Sequence, residues 1–314
     1  MIVVFGSLNV DIVLSVPRLP APGETVINAT SQLVPGGKGA NQAAAAARSG
    51  GMKIVLFGCV GNDDWAATAT ALLPSFGVDL SGLGRSEQPT GAAAVMVDQT
   101  GENAIVVARG ANQTAAADLV PDRCLGPDCW LVLQMEVPLA ENWKLVDRAR
   151  AAGSRIVLNM APIGPVPDWA LSAIDFLILN EGEAAALCRD KSIAADSDTG
   201  RAMALAERYG TTVIVTLGPG GAVAADGINL WRQASLAVSA VDTTGAGDGF
   251  VGAFTVALAE GADLAAALHR GCVAAGLSCT VLGAQTSYPE AETIAQHLPN
   301  VEPSKMSGIK HGEH

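Results

Sequence analysis

The sequence predicts an α/β protein: a doubly wound, mostly parallel sheet with helices on both faces, plus a small lid of β-strands. Short β-branched runs alternate with small-residue helical stretches along most of the chain, which is the pattern of repeated βαβ units. Several of the runs are apolar throughout, as strands covered on both faces must be. A third observation supplies the lid, because two segments that flank turn residues break the alternation and read as antiparallel hairpins.

In chain order, strands are predicted at Ile2–Phe5, Lys53–Val60, Trp130–Gln134, Arg155–Asn159, Phe176–Leu179 and Thr212–Leu217. Helices are predicted between them at Gly39–Ser49, Asp64–Phe76, Leu139–Ala152, Gly182–Cys188 and Thr199–Tyr209, with two more at Gly249–Glu260 and Leu264–Cys279. In the first hairpin, Asp11–Leu14 and Thr25–Val34 flank the turn Pro20-Ala-Pro-Gly-Glu24. In the second, Thr90–Val97 and Ala104–Arg109 flank Asp98-Gln-Thr-Gly-Glu102. Lid strands are thus inserted at about 11–34 and 90–109 of a domain spanning 1–300, and the polar tail 301–314 is expected to fray. Ligands of such sheets sit beyond the carboxyl ends of the strands, so the hairpins can cover that mouth. A lid of strands has exposed edges, and a homodimer through them is expected.

The composition is 49% apolar but only 4% aromatic, with 35 glycines, so the core must rest on Ala, Val, Leu and Ile at close packing distances. A net charge of −12 argues against a nucleic-acid partner. It leaves room for phosphate held by a local backbone nest with one Lys or Arg. The six cysteines form no Cys-x-x-Cys pair and histidines number four, which speaks against zinc and for reduced thiols in the cytoplasm. Met1–Phe5 lacks the basic start of a signal peptide, and no apolar run reaches the length of a membrane span.

The most informative motif is Asp242-Thr-Thr-Gly-Ala-Gly-Asp248, which runs into the small, apolar stretch Gly249–Phe254. A loop entering a buried helix presents free amides and the positive end of the helix dipole, and a phosphate fits there. Asp248 is a carboxylate beside that anion site, suited to taking a proton from a hydroxyl nucleophile. Read alone, the motif is equally an ordinary glycine-rich turn with Asp at a helix start. Gly36-Gly37-Lys38-Gly39-Ala40-Asn41-Gln42 offers close backbone approach, a cation and an amide for a polyhydroxylated ligand, or simply a loop-to-helix turn with a solvated lysine. Gly6-Ser-Leu-Asn9-Val-Asp11 puts two polar side chains on one side of an extended chain, or forms an Asx turn. Gln134-Met-Glu136, Asn180-Glu-Gly-Glu183 and Thr216-Leu-Gly218 each end an apolar strand; singly they read as caps, together as a ligand edge.

In this order and spacing, these pieces resemble the ribokinase-like (PfkB) carbohydrate kinase family over about residues 2–297, with Pro22-Gly-Glu-Thr25 and Gly283-Ala-Gln-Thr-Ser287 as further carriers. The resemblance implies Asp248 as the base, with the amides of Gly245, Ala246 and Gly247 as an anion hole. It implies that Asn9, Asp11, Gly37, Lys38, Asn41 and Glu136, with Asp248, hold the sugar. Asn180 and Glu183 would organise the ATP phosphates and Mg²⁺, Glu183 through water. Thr216, Gly218, Gly220, Gly221 and Gly247 would line the nucleotide groove, and Cys272 would flank the adenine where relatives often place His or Asn. A K⁺ ion would lie among Asp242, Thr244, Ser278, Val281, Gly283 and Ser287, several of them acting through backbone carbonyls.

The implied reaction is transfer of phosphate from ATP to the primary hydroxyl of D-ribose. The alternatives are deoxyribose, fructose, a keto-deoxy sugar acid or a nucleoside. A sugar acid would want an added cation, for which Arg85 and Arg109 are candidates, and a nucleoside would want an aromatic surface near the lid. A catalytically silent sugar-binding protein is the alternative of a different class.

Overall fold

The computed structural model describes residues 1–27, 30–100 and 102–308. Along the chain run β1 (Ile2–Phe5), β2 (Asn9–Ser15), β3 (Thr30–Gly36), α1 (Lys38–Ser49), β4 (Ile54–Gly61), α2 (Asp64–Thr70), β5 (Asp79–Ser86), β6 (Gly91–Val97) and β7 (Asn103–Ala108). They are followed by β8 (Trp130–Leu133), α3 (Leu139–Ala152), β9 (Arg155–Asn159), α4 (Asp168–Leu171), β10 (Phe176–Asn180), α5 (Glu181–Asp190), α6 (Asp198–Tyr209) and β11 (Thr212–Thr216). The chain ends with β12 (Ala222–Ala225), β13 (Asn229–Gln233), α7 (Ala246–Ala259), α8 (Leu264–Ser278), α9 (Ala291–His297) and β14 (Lys305–Gly308).

A ten-stranded sheet in the order β14-β13-β12-β11-β10-β9-β8-β1-β4-β5 forms the frame. Its strands run parallel from β11 through β5, while β12, β13 and β14 add antiparallel pairs at one edge. The parallel strands are apolar on both faces because each face is covered: α3, α5 and α6 contribute to one core, and α1, α7 and α8 to the other. The alanine run of α1 exists for close approach. A Cβ placed on Gly252 of α7 would lie 2.6 Å from the Ala45 Cβ, so neither helix tolerates bulk where the two meet.

The lid is a second, four-stranded sheet in the order β3-β2-β6-β7. Both predicted hairpins are antiparallel pairs, and the parallel pairing of β2 with β6 joins them. Asp63, the N-cap of α2, anchors this sheet to the frame: its carboxylate accepts from Thr90 N at 2.7 Å and from Thr90 Oγ1 at 2.6 Å, just before β6 begins. The expected strand Thr25–Val34 and the turn Asp98–Glu102 include residues 28–29 and 101, which lie outside the described residues, as does the tail from 309 onward.

Several expectations need correction. The helix predicted over Asp64–Phe76 ends at Thr70, and Leu73–Phe76 forms a separate 3-10 turn, because Pro74 has no N–H to continue the ladder. The strands β5 and β12–β14 were not anticipated; β12 is nearly all alanine and β5 carries two glycines, so neither shows a β-branched run. The tail is paired before it leaves the described residues, with Leu230 opposite Ser307 and Trp231 opposite Met306. Helix α7 starts at Ala246, three residues before the predicted Gly249, which places the glycine loop inside its first turn. Among the described residues no helix is long and apolar enough to cross a membrane.

Candidate active site

The parallel register brings the polar strand ends side by side: Thr216 of β11 pairs with Asn180 of β10, and Ile178 of β10 pairs with Asn159 of β9. Gln134 and Glu136 follow β8, and Gly6 and Ser7 follow β1. Over this edge sit the N-termini of α1 and α7 and the underside of the lid.

Three cavities follow one another there. A polar one of about 160 Å³ is lined by Lys38, Asn159, Asn180, Glu183, Thr216 and the loop from Gly245 to Asp248, among others. An apolar one of about 410 Å³ shares Thr216, Thr243, Ala246 and Gly247 with it and extends over Gly218, Gly221, Phe250, Cys272 and Cys279. The third, about 220 Å³, lies under the lid between Asn9, Val107, Arg109, Asn112, Glu136 and Pro162. Asp248 is 5% exposed and belongs to the polar cavity. The apolar slot thus opens onto helix-terminal amides and a buried carboxylate, with a separate pocket under the lid.

Gly245 caps α7 in the left-handed region, at φ 76°. Ala246 N donates to Thr243 O at 3.2 Å, so of the three amides expected in the anion hole this one is engaged in the turn. The Gly247 and Asp248 amides, also in the first turn, have no intrahelical acceptor and are available to an anion. Lys38 opens α1 and faces the same polar cavity instead of the lid pocket, and the negative charge of Asp248 holds its ammonium above the ordinary lysine value. Gly37 makes the turn before it at φ 90°, with Ser7, Leu8 and Asn9 so close that a Cβ would lie within 2.9 Å of their backbone.

Asn180 and Glu183 form a reciprocal capping box at the start of α5: Glu183 N donates to Asn180 Oδ1 at 2.8 Å and Asn180 N to Glu183 Oε2 at 2.8 Å. The cap reading of this strand end holds, and both residues also line the polar cavity. Burial pushes the Glu183 carboxyl up. Cys272 is buried in the wall of the apolar cavity, and burial pushes its thiol up to about 12, so it offers a neutral surface. Gly218 and Gly221 line that cavity, and Gly220 lies in the turn between them.

In the lid pocket, Glu136 Oε2 accepts from Ser7 Oγ at 2.5 Å and Lys38 N at 3.1 Å. Asn112 was not anticipated; its amide bonds Leu8 on both backbone groups and donates to Asn9 Oδ1 at 2.7 Å, which fixes Asn9. No pattern marks it, because it lies in an isolated 3-10 turn after the lid. Asp11 is half-buried near two other carboxylates; desolvation, then the charges of Glu136 and Asp248, push it up to about 6 against the pull of Lys38. Asn41 faces Asp248, donating to its Oδ2 at 3.1 Å, and so belongs to the carboxylate's support. Gln42 and Asn159 were also missed. Gln42 sits inside a motif that was read through its neighbours, and Asn159 ends an apolar strand, the same signal that marked Asn180.

Across the mouth of α7, Asp242 joins two loops, accepting from Thr244 N at 2.9 Å and from Gly283 N at 2.8 Å. Burial works against its ionisation, yet these hydrogen bonds hold it below the usual carboxylate value. The Ser278 and Ser287 hydroxyls point back to Ala275 O and Ala284 O, and Ser278 O accepts from Val281 N, so these residues would meet a cation chiefly through other backbone carbonyls.

The chain matches the family described as pfkB family carbohydrate kinase over residues 1–291, and it belongs to that family. It is an ATP-dependent carbohydrate kinase. A ribokinase of Haemophilus influenzae is 36% identical over 299 residues, covering 94% of this chain and 97% of the relative. A solved ribokinase from Thermotoga maritima superposes with a TM-score of 0.87 at 35% identity, covering 96% of this chain and 99% of that one. An Arabidopsis thaliana ribokinase complexed with ribose and ATP superposes at 0.83 with 33% identity, covering 95% and 98%.

Proposed function

We propose that the protein phosphorylates the primary hydroxyl of D-ribose, giving ribose 5-phosphate, with Asp248 as the proton acceptor. The observation that carries this reading is the buried Asp248 carboxylate set in the first turn of α7, beside free helix amides in the polar cavity and near enough to Asp11 to raise its carboxyl together with Glu136. The similarity to a ribokinase complexed with ribose and ATP supports the choice of sugar. Asn9, Asp11 and Glu136 hold the secondary hydroxyls and turn the primary one toward Asp248. Gly247 and Asp248 amides and Lys38 stabilise charge on the group in transfer, so rate comes from position and electrostatics. Adenine packs in the apolar slot against Cys272. Glu183 and Asn180 are placed to hold Mg²⁺ and its waters, whose charge neutralises the phosphates when bound. The Asp242 loop is the proposed seat of K⁺, which adds positive charge near the anion hole. Six unpaired cysteines suit a reducing, cytoplasmic setting.

The test is ADP release from Mg-ATP with D-ribose, first with K⁺ and then with Na⁺ alone, beside a panel of other sugars and nucleosides. Turnover on ribose that falls without K⁺ supports both assignments; activity confined to another substrate moves the specificity. One observation favours a second reading: Arg109 lines the lid pocket, where it could meet a carboxylate, whereas Arg85 turns away to bond Gly61 O at 3.0 Å. A keto-deoxy sugar acid therefore belongs in the panel, and preference for it over ribose would overturn the choice of sugar.

We also propose that the lid forms a homodimer. On its sheet, the register puts Leu33 and Val106 on one face, 54% and 67% exposed, an apolar surface without a cover in one chain. Val106→Glu is expected to yield monomers in sedimentation, and a monomeric wild type would refute the assignment.

A further inference from the structure

We propose that Gln42 is a positioning residue for Asp248 and that Gln134 dictates its orientation; the inference rests on the reading of Asp248 as proton acceptor. An ionised carboxylate can only accept hydrogen bonds, so it fixes the direction of every bond leading to it. Gln42 Nε2 donates to Asp248 Oδ1 at 2.9 Å and to Asn159 Oδ1 at 3.0 Å. With its nitrogen committed there, Gln42 must turn its oxygen to Gln134, whose Nε2 donates to it at 2.7 Å. Gln134 is thereby left with Oε1 buried and without a partner in the protein, pressed toward Gly6, where a Cβ would lie 1.9 Å from that oxygen. Gly6 of the first motif is thus needed for the amide to fit at all.

The other oxygen of Asp248 is served the same way. Asn41 Nδ2 donates to Oδ2 at 3.1 Å, Gln285 Nε2 donates to Asn41 Oδ1 at 3.2 Å, and Gln285 Oε1 is again buried without a partner. Two chains of amides, entered from opposite sides through consecutive residues of α1, carry the same polarity to one carboxylate and each end in an orphan oxygen. Buried polar groups in folded proteins are nearly always paired, and leaving one unpaired is unfavourable. The arrangement is explained if what matters is the end of each chain that faces Asp248: every carboxylate oxygen receives one fixed N–H, and the remaining lone pairs are aimed at the substrate hydroxyl.

The test compares two near-isosteric changes at one site. Gln134→Met removes the donor and adds no competing acceptor, and kcat is expected to fall only a few-fold. Gln134→Glu keeps size and polarity but, when ionised, presents only acceptors to Gln42 and so competes with Asp248 and Asn159 for the Gln42 N–H groups, which unfixes the hydrogen bond to Asp248. Its kcat is expected to fall about 100-fold at pH 8, the scale of a misplaced reacting group. The loss should shrink as the pH is lowered relative to wild type, because the introduced carboxyl becomes a donor once protonated. The sugar and ATP KM values should stay within about twofold in both variants. Equal kcat for the two variants, with parallel pH profiles, would overturn the proposal. Should Gln134→Glu not fold, Gln42→Met decides: a kcat loss of about tenfold or more at unchanged sugar KM supports the role, and wild-type kcat refutes it. Asp248→Ala, measured alongside, separates the two layers, since wild-type turnover there removes the underlying reading, whereas inactivity with indifferent Gln134 variants removes the positioning role alone.

Discussion

Asp248→Ala lowers kcat by roughly 10³-fold, within the range of a lost general base, while the sugar's dissociation constant changes by less than about fivefold. The asymmetry follows from where the carboxylate sits. It is buried at the amino end of α7, touching Asn41 and Gln42, while the lid pocket is lined by Asn9, Asn112 and Glu136. Sugar hydroxyls away from the reacting one retain their partners. The substitution also strips one N–H of Asn41 and one of Gln42 of its acceptor, though Gln42 keeps Asn159, at about 1–3 kcal/mol for each unpaired buried donor. Thermal unfolding of the variant must therefore accompany the kinetics, and sugar binding is measured at a temperature where it is folded. Turnover within tenfold of wild type would remove Asp248 from the chemistry.

Asp11→Asn weakens ribose binding by roughly 10- to 100-fold, the scale of hydrogen bonds to a charged acceptor, and at the same time stabilises the fold above pH 7. Both effects come from one fact: burial and two neighbouring carboxylates raise Asp11 from 3.8 to about 6. A carboxyl that binds its proton more tightly when folded favours the folded state fully below its unfolded value and loses that contribution as the pH rises through about 6. At neutral pH the ionised side chain is then a liability, on the order of 1–3 kcal/mol after allowing for solvent screening. The neutral amide escapes it. In the wild type, sugar KM is expected to rise as the pH falls below about 6, where Asp11 takes up its proton. Loss of that limb in Asp11→Asn, with a higher melting temperature, is the paired signature. A variant that is no more stable and keeps the limb would show that another group titrates.

These two residues also illustrate what local sequence conveys. Asp248 and Asp11 each belong to a short motif whose glycines and neighbours mark a candidate ligand edge, and strands such as β1 and β9 match their predicted bounds because β1 is apolar from end to end and the apolar centre of β9 is bounded by Arg155 and Asn159. Helix α3 is equally legible, with Pro138 before it and Gly153 in the left-handed conformation after it. What escaped was of two kinds. Strands built from alanine and glycine, such as β12, lack the branched residues that signal extension and gain their pairing from the sheet they join. The support of Asp248 escaped because it is assembled over distance: Gln42 meets Gln134 across 92 positions and Asp248 across 206. A lone glutamine on an alanine helix carries no mark of its partners. Lys38 was readable as a cation of the site but not as one facing the polar cavity beside the α7 loop, since the turn at Gly37 decides its direction.

The most direct test of the account is the identity of the product. Protein, Mg-ATP and D-ribose are incubated with K⁺, and the phosphate ester is examined by phosphorus NMR with proton coupling. A single new ester is expected, its phosphorus split by the two methylene protons of the primary position. An ester split by one proton would place phosphate on a ring or anomeric carbon and contradict the pocket's orientation, and inorganic phosphate without any ester would contradict the assignment of the sugar as acceptor.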